Sequence, residues 1–119
     1  MKLKKLPSLR EKKRYIIFKV HADGPLSFEN VSNAIWNSLL DWLGERELAK
    51  ANVWIIKNLW NGKEQTGFIK CSPKYVDSVK VGLALIHQIG DSKVILQSLR
   101  VSGTIKSGKN KLKTKQIKK

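Results

Sequence analysis

The chain has 119 residues, a formal net charge of +15 and 41% hydrophobic residues including four tryptophans, enough for one modest core and too apolar for a disordered polymer. The charge is uneven: residues 1–14 hold seven Lys or Arg and one acid, residues 106–119 hold seven Lys and none, so the flanks carry +13 and residues 15–105 only +2. No apolar run reaches membrane-spanning length, no apolar segment follows the first lysines as in a signal peptide, and the lone Cys71 excludes an internal disulfide; a cytoplasmic protein is the expectation.

In chain order, "RYIIFKVHA" (Arg14 to Ala22) is β-branched and aromatic and predicts a first strand, with Ile16, Phe18 and Val20 on one face and Tyr15, Ile17, Lys19 and His21 on the other. "ADGPLS" ends it, and Ser27 is placed to cap a helix, with Leu26 and Val31 as a hydrophobic staple. Phe28, Val31, Ile35, Leu39, Trp42 and Leu43 share one face of that helix, while Trp36 and Leu40 fall to one side. Gly44 ends it, and "ERELAKA" predicts a further helical turn or two. "NVWIIKNLW" (Asn52 to Trp60) predicts a second strand, Asn61-Gly62 a tight hairpin, and "KEQTGFIKCS" a third strand. Ser72-Pro73 opens a second helix with Val76, Val79, Leu83 and Ile86 inward, Val81 and Leu85 outward, and Gly90 as its C-cap. "KVILQSLRVSGTI" closes the domain as a long last strand.

The order β-α-β-β-α-β predicts an α+β, ferredoxin-like sandwich: a four-stranded antiparallel sheet, both helices on one face, and the other face open. This is also the layout of the RNA-recognition module. Residues 1–14 read as a basic arm, 15–106 as the single domain and 107–119 as a lysine-rich tail.

Catalytic chemistry finds little support. His21 and His87 have no local partner pattern, Cys71 has no second cysteine at metal-ligand spacing, and Asp41, Glu45 and Glu47 straddle a helix end. "GKEQTG" lacks the Gly-Lys-Ser/Thr that would open a phosphate-binding helix. Binding of a polyanion fits better, because Lys12, Lys13 and Arg14 directly precede the first strand and Lys106 directly follows the last. Tyr15 and Phe68 are the rings available for base stacking on the central strands; packing roles suit them better, since a stacking sheet normally offers two or three rings.

"LREKKRYIIFKV" and "GFIKCSPKYVDSVKVGLALIHQIGDSKVILQSLRVSGTIK" resemble the archaeal ribonuclease P protein component 2 family, most specifically in Arg-Tyr-Ile after a basic segment and in Arg-Val-Ser-Gly-Thr-Ile-Lys. Ser72 and Lys80 stand where that family commonly carries arginines. The resemblance implies a non-catalytic subunit of ribonuclease P, the endoribonuclease that removes the 5′ leader of precursor tRNA. It implies catalysis by RNA, magnesium held with that RNA and no cofactor on this chain. Its implied partners are the ribonuclease P RNA, protein component 3, a second copy in a two-fold assembly and, indirectly, precursor tRNA. On this basis Lys12, Lys13, Arg14, Lys70, Arg100, Lys106 and Lys109 are placed on phosphates, and Trp36, Leu40, Val81 and Leu85 on protein partners. A stand-alone RNA-binding or ribosomal protein is the main rival, and a ligand-sensing ferredoxin-like domain a second.

Overall fold

The computed structural model describes residues 13–105, so most of the two basic arms, with Lys12, Lys106 and Lys109, lies outside the described residues. Strand β1 (Arg14–Ala22) is followed by helix α1 (Phe28–Ala51), β2 (Trp54–Ile55), β3 (Thr66–Cys71), α2 (Val76–Ala84), β4 (Gln88–Ile89) and β5 (Ser92–Ser102). The fold is α+β, with five strands in the order β2-β3-β1-β5-β4 and every pair antiparallel.

Local chemistry sets the helix ends. The Ser27 hydroxyl accepts a hydrogen bond from the Asn30 backbone N–H at 3.2 Å, satisfying one of the donors that a helix N-terminus leaves bare. Gly44 sits at φ 82°, a conformation open to glycine, and kinks α1 so that a second short helical stretch runs on to Ala51. Asn52, at φ 52°, then caps it and donates its N–H to the Ala49 carbonyl.

The core lies between the helices and one face of the sheet. Ile16, Phe18 and Val20 of β1 meet Val31, Ile35 and Leu39 of α1, Val79 and Leu83 of α2, and Ile69 of β3. Where the helices cross, Gly82 lies against Leu39, and the Ser38 hydroxyl donates to the Gly82 carbonyl at 2.7 Å. Alternate side chains of β1 point into this core, while Ile17, between Ile16 and Phe18, is buried on the other face of the sheet.

Several expectations are corrected. The sheet has five strands, because Gln88–Ile89 pairs with the start of β5; Gly90, at φ 61°, turns that hairpin instead of capping α2, which ends at Ala84. The second strand is two residues long. After Ile55 the chain leaves the sheet through a 3₁₀ turn, Lys57–Leu59, and Trp60 comes within 6.3 Å of Phe18 and 6.2 Å of Phe28, ring centre to ring centre. The Asn61-Gly62 turn takes another form: Asn61 Oδ1 accepts the N–H groups of Lys63 and Glu64, and the positive φ falls on Gln65. Ser72 makes no side-chain capping bond, and the second helix begins as a 3₁₀ turn, Pro73–Tyr75. Trp42, expected in the core stripe, is exposed.

The second face of the sheet carries, in one row across β2, β3, β1 and β5, Trp54, Lys70, Tyr15 and Ser102. The next row holds Phe68, Ile17 and Arg100, set by a bulge at Leu99 that re-phases β5. This face is less open than its pattern implies. Ile17, Phe68 and Ser102 are buried, whereas its β2 edge is exposed.

Candidate nucleic-acid interface

The end of α1, the start of β2 and the ends of β1 and β3 converge at one edge of the sheet. The Ser72 N–H donates to the Ala51 carbonyl at 2.9 Å, tying the end of β3 to the end of α1. Trp54 pairs across the sheet with Lys70, and Lys70 with Tyr15. Lys13, two residues before Tyr15, shares its face by alternation. Lys13, Asn52, Val53, Trp54 and Lys70 line a cleft of about 270 Å³. Trp54 is 63% exposed, while Ile55, one residue on, is buried.

A second cleft, of about 340 Å³, lies along β5, lined by Lys80 of α2 with Ser98, Leu99, Arg100 and Val101. The ion pairs among the described residues join Lys19 to Glu64, Lys50 to Glu47 and Lys57 to Glu29, all near the outer limit of such pairs at 3.6–3.9 Å. Lys13, Lys70, Lys80 and Arg100 have no carboxylate within that reach among the described residues.

Of the residues placed on phosphates from the sequence, Lys13 and Lys70 are brought together, and Arg100 lies two strands away in the next row. Arg14 diverges. Opposite Cys71 it belongs by register to the helix-covered face, and its guanidinium donates to the Lys13 carbonyl at 2.9 Å. Trp36, Leu40, Val81 and Leu85 are exposed, as their helix positions predict. Leu85 lines a groove of about 700 Å³ between α1 and residues 85–90 together with Trp42, whereas Trp36 and Leu40 lie off that groove, on the opposite flank of α1.

Both histidines, Cys71, Glu47 and Tyr75 are engaged within the fold. His21 Nε2 is 2.8 Å from Gln97 Oε1, and His87 Nδ1 is 3.4 Å from the Leu85 carbonyl. Burial pushes the Cys71 thiol up to about 11. The Tyr75 hydroxyl donates to Glu47 at 2.7 Å; that bond, then the Lys50 charge, holds the Glu47 carboxyl below its ordinary value, and the same bond with burial and the Glu47 charge holds the Tyr75 phenol above its own. Among the described residues no three His, Cys, Asp or Glu gather as a metal site, and no helix is long and apolar enough to cross a membrane.

The sequence pattern of the Rpp14/Pop5 family matches residues 14–113. The chain belongs to the Rpp14/Pop5 family. It is 44% identical over 105 residues to ribonuclease P protein component 2 of Pyrococcus furiosus, covering 88% of this chain and 86% of that one. It is 40% identical over 105 residues to the protein of the same name from Methanocaldococcus jannaschii, covering 88% and 75%. A chain in the cryo-EM structure of yeast ribonuclease MRP superposes with a TM-score of 0.61 over 80% of this chain and 76% of its own length; at 8% identity that likeness concerns the fold alone.

The residue pattern left Trp54 without a role and marked Lys80 only as standing where the family commonly carries an arginine. Trp54 alternates with Val53 and Ile55 in "NVWI", so a tryptophan on the outward phase of a strand was the available signal. Lys80 lies in the helix that "SPKYVDSVK" opens, and its nearness to Arg100 depends on how α2 crosses β5.

Proposed function

We propose that this chain is the non-catalytic component 2 subunit of ribonuclease P, supporting the catalytic RNA as it removes the 5′ leader of precursor tRNA. The family match over residues 14–113 carries this reading, and the cations at the β2 edge and along β5, without carboxylate partners among the described residues, fit it. Repulsion between RNA strands opposes a compact catalytic fold, and each ammonium or guanidinium set against a phosphate offsets part of it while releasing counterions. Magnesium held by the RNA would supply the Lewis-acid chemistry of phosphodiester hydrolysis; this chain would contribute charge around it. Arg100 and Lys80 on β5 and α2, Lys13 and Lys70 at the β2 edge, and the lysines of both flanks are the groups assigned to phosphates.

Protein component 3 and a second copy of this chain are the assigned protein partners, with the exposed apolar residues on the two flanks of α1 and on α2 as separate contact points. We read β1, β2, β3 and β5 as a ferredoxin-like sheet to which the β4 hairpin is an addition. A cytoplasmic site of action agrees with the single unbridged cysteine.

The test is to recover affinity-tagged chain from its own cells and sequence the RNA that comes with it. Enrichment of ribonuclease P RNA supports the subunit reading. Enrichment of ribosomal RNA in its place would make this a ribosomal or stand-alone RNA-binding protein.

A further inference from the structure

We propose that Trp54, Lys13 and Lys70 form a site for one unpaired RNA nucleotide, its base stacked on the indole and its phosphates held by the two ammonium groups. This rests on the subunit reading above and gives it a defined point of contact.

Exposed single apolar residues are common and by themselves mean little. The neighbours of Trp54 are what distinguish it. Among the described residues both cationic side chains of the cleft are free of carboxylates and no acid lines the cleft. Lysine is depleted from protein–protein interfaces, where a bare ammonium must be desolvated without return. A flat ring beside unpaired cations is the combination that holds single-stranded nucleic acid, the ring taking the base face and the cations tracking the backbone. A peptide without acidic side chains would leave the two ammonium groups unused, whereas one RNA nucleotide, with a base face and phosphates together, accounts for all three side chains.

The site is also held in place. The Trp54 backbone is fixed by its pairing to Lys70, Lys70 by its pairing to Tyr15, and the chain entering Trp54 by the Asn52 cap on α1. Stacking at the sheet centre is closed off, since Phe68 is only 3% exposed. The one well-exposed ring on this face is therefore at its edge, where a strand of RNA can approach from outside. A paired base has both faces covered by its neighbours in the helix, so the ligand is a looped-out or single-stranded nucleotide.

The test uses the full chain, its partner proteins and transcribed ribonuclease P RNA of the same organism, with RNA binding measured over a series of KCl concentrations. Trp54→Ala is expected to weaken binding about tenfold at every salt concentration, because stacking releases no counterions. Trp54→Phe keeps a ring and should bind within about threefold of wild type. Lys70→Gln should lower the slope of log affinity against log salt by about one. RNA substituted with 4-thiouridine should cross-link to the tryptic peptide spanning residues 51–57. Trp54 is exposed, so the variants should melt with the wild type and report on binding alone. Wild-type affinity in Trp54→Ala, equal losses in the Ala and Phe variants, or loss of a protein partner with RNA affinity intact would each overturn the site. If the wild-type chain itself leaves RNA binding unchanged, the subunit reading falls and takes the site with it; if wild type binds and Trp54→Ala binds equally, only the site falls.

Discussion

Replacing Gly82 with alanine tests how closely the two helices are packed. In an isolated helix the change would stabilise by about 0.8–1 kcal/mol, since glycine is the poorer helix former. Here a Cβ at position 82 would fall on Leu39 Cδ2, with Leu39 Cγ at 3.4 Å and Trp42 Cδ1 at 3.8 Å. Leu39 is fully buried, so its methyl has nowhere to swing and the helices must part. Overpacking of a closed core costs about 1–3 kcal/mol. Parting also strains the 2.7 Å bond from Ser38 to the Gly82 carbonyl, worth about 0.5–1.5 kcal/mol. The opposing effects leave a net loss of about 1–3 kcal/mol. For a domain of this size that lowers the melting temperature by roughly 4–20 °C. Urea and thermal unfolding of Gly82→Ala give the value directly. Leu39→Val in the same chain should restore part of it, as expected of residues in contact. A Gly82→Ala protein more stable than wild type would refute the close crossing.

Other consequences are as direct. Removing residues 107–119 deletes six lysines and should reduce the salt slope of RNA binding by as much as about four; an unchanged slope would remove the tail from the electrostatic account. Tyr75→Phe should destabilise the fold near neutral pH. The bond favours ionised Glu47 and neutral Tyr75, so its contribution is complete above the ordinary Glu value of 4.5 and fades as pH falls through the lowered native value; it is lost again as pH rises through the raised Tyr75 value. Melting curves of the two proteins should therefore converge in acid, and a difference that persists there would contradict the assignment. Cys71, buried and with its thiol pushed up to about 11, should resist iodoacetamide at pH 7.5 in the folded chain and react once urea unfolds it. Rapid native labelling would show that the end of β3 opens.

Much of the fold was legible because period-2 and period-3.6 patterns record burial. Ile16, Phe18 and Val20 named the core face of β1, and Val31, Ile35 and Leu39 that of α1, since each of those side chains meets the same core. The cap at Ser27 and the break at Gly44 were legible for the same local reason: the chemistry is within one turn. What escaped was set by contacts between distant segments. Trp60 leaves its strand because Phe18 and Phe28 offer it rings to pack on, and no local pattern in "NVWIIKNLW" records them. Gly90 marks a turn in either reading, but the two-residue strand Gln88–Ile89 is too short to announce itself. The binding surface was legible as charge and not as place. Lysine counts pointed to a polyanion partner, yet whether Lys13 and Arg14 can act together depends on β1 alternation, which sends them to opposite faces. The lone outward tryptophan of β2 shows its meaning only beside Lys13 and Lys70.

The central claim is that this chain serves a catalyst made of RNA. Transcribed ribonuclease P RNA should be assembled with its partner proteins, with and without this chain, and precursor tRNA cleavage followed at moderate magnesium and salt. Cleavage at the 5′ leader junction should be markedly faster with the chain present, and the chain without RNA should cleave nothing. Equal rates in its presence and absence, or cleavage by the protein free of RNA, would contradict the account.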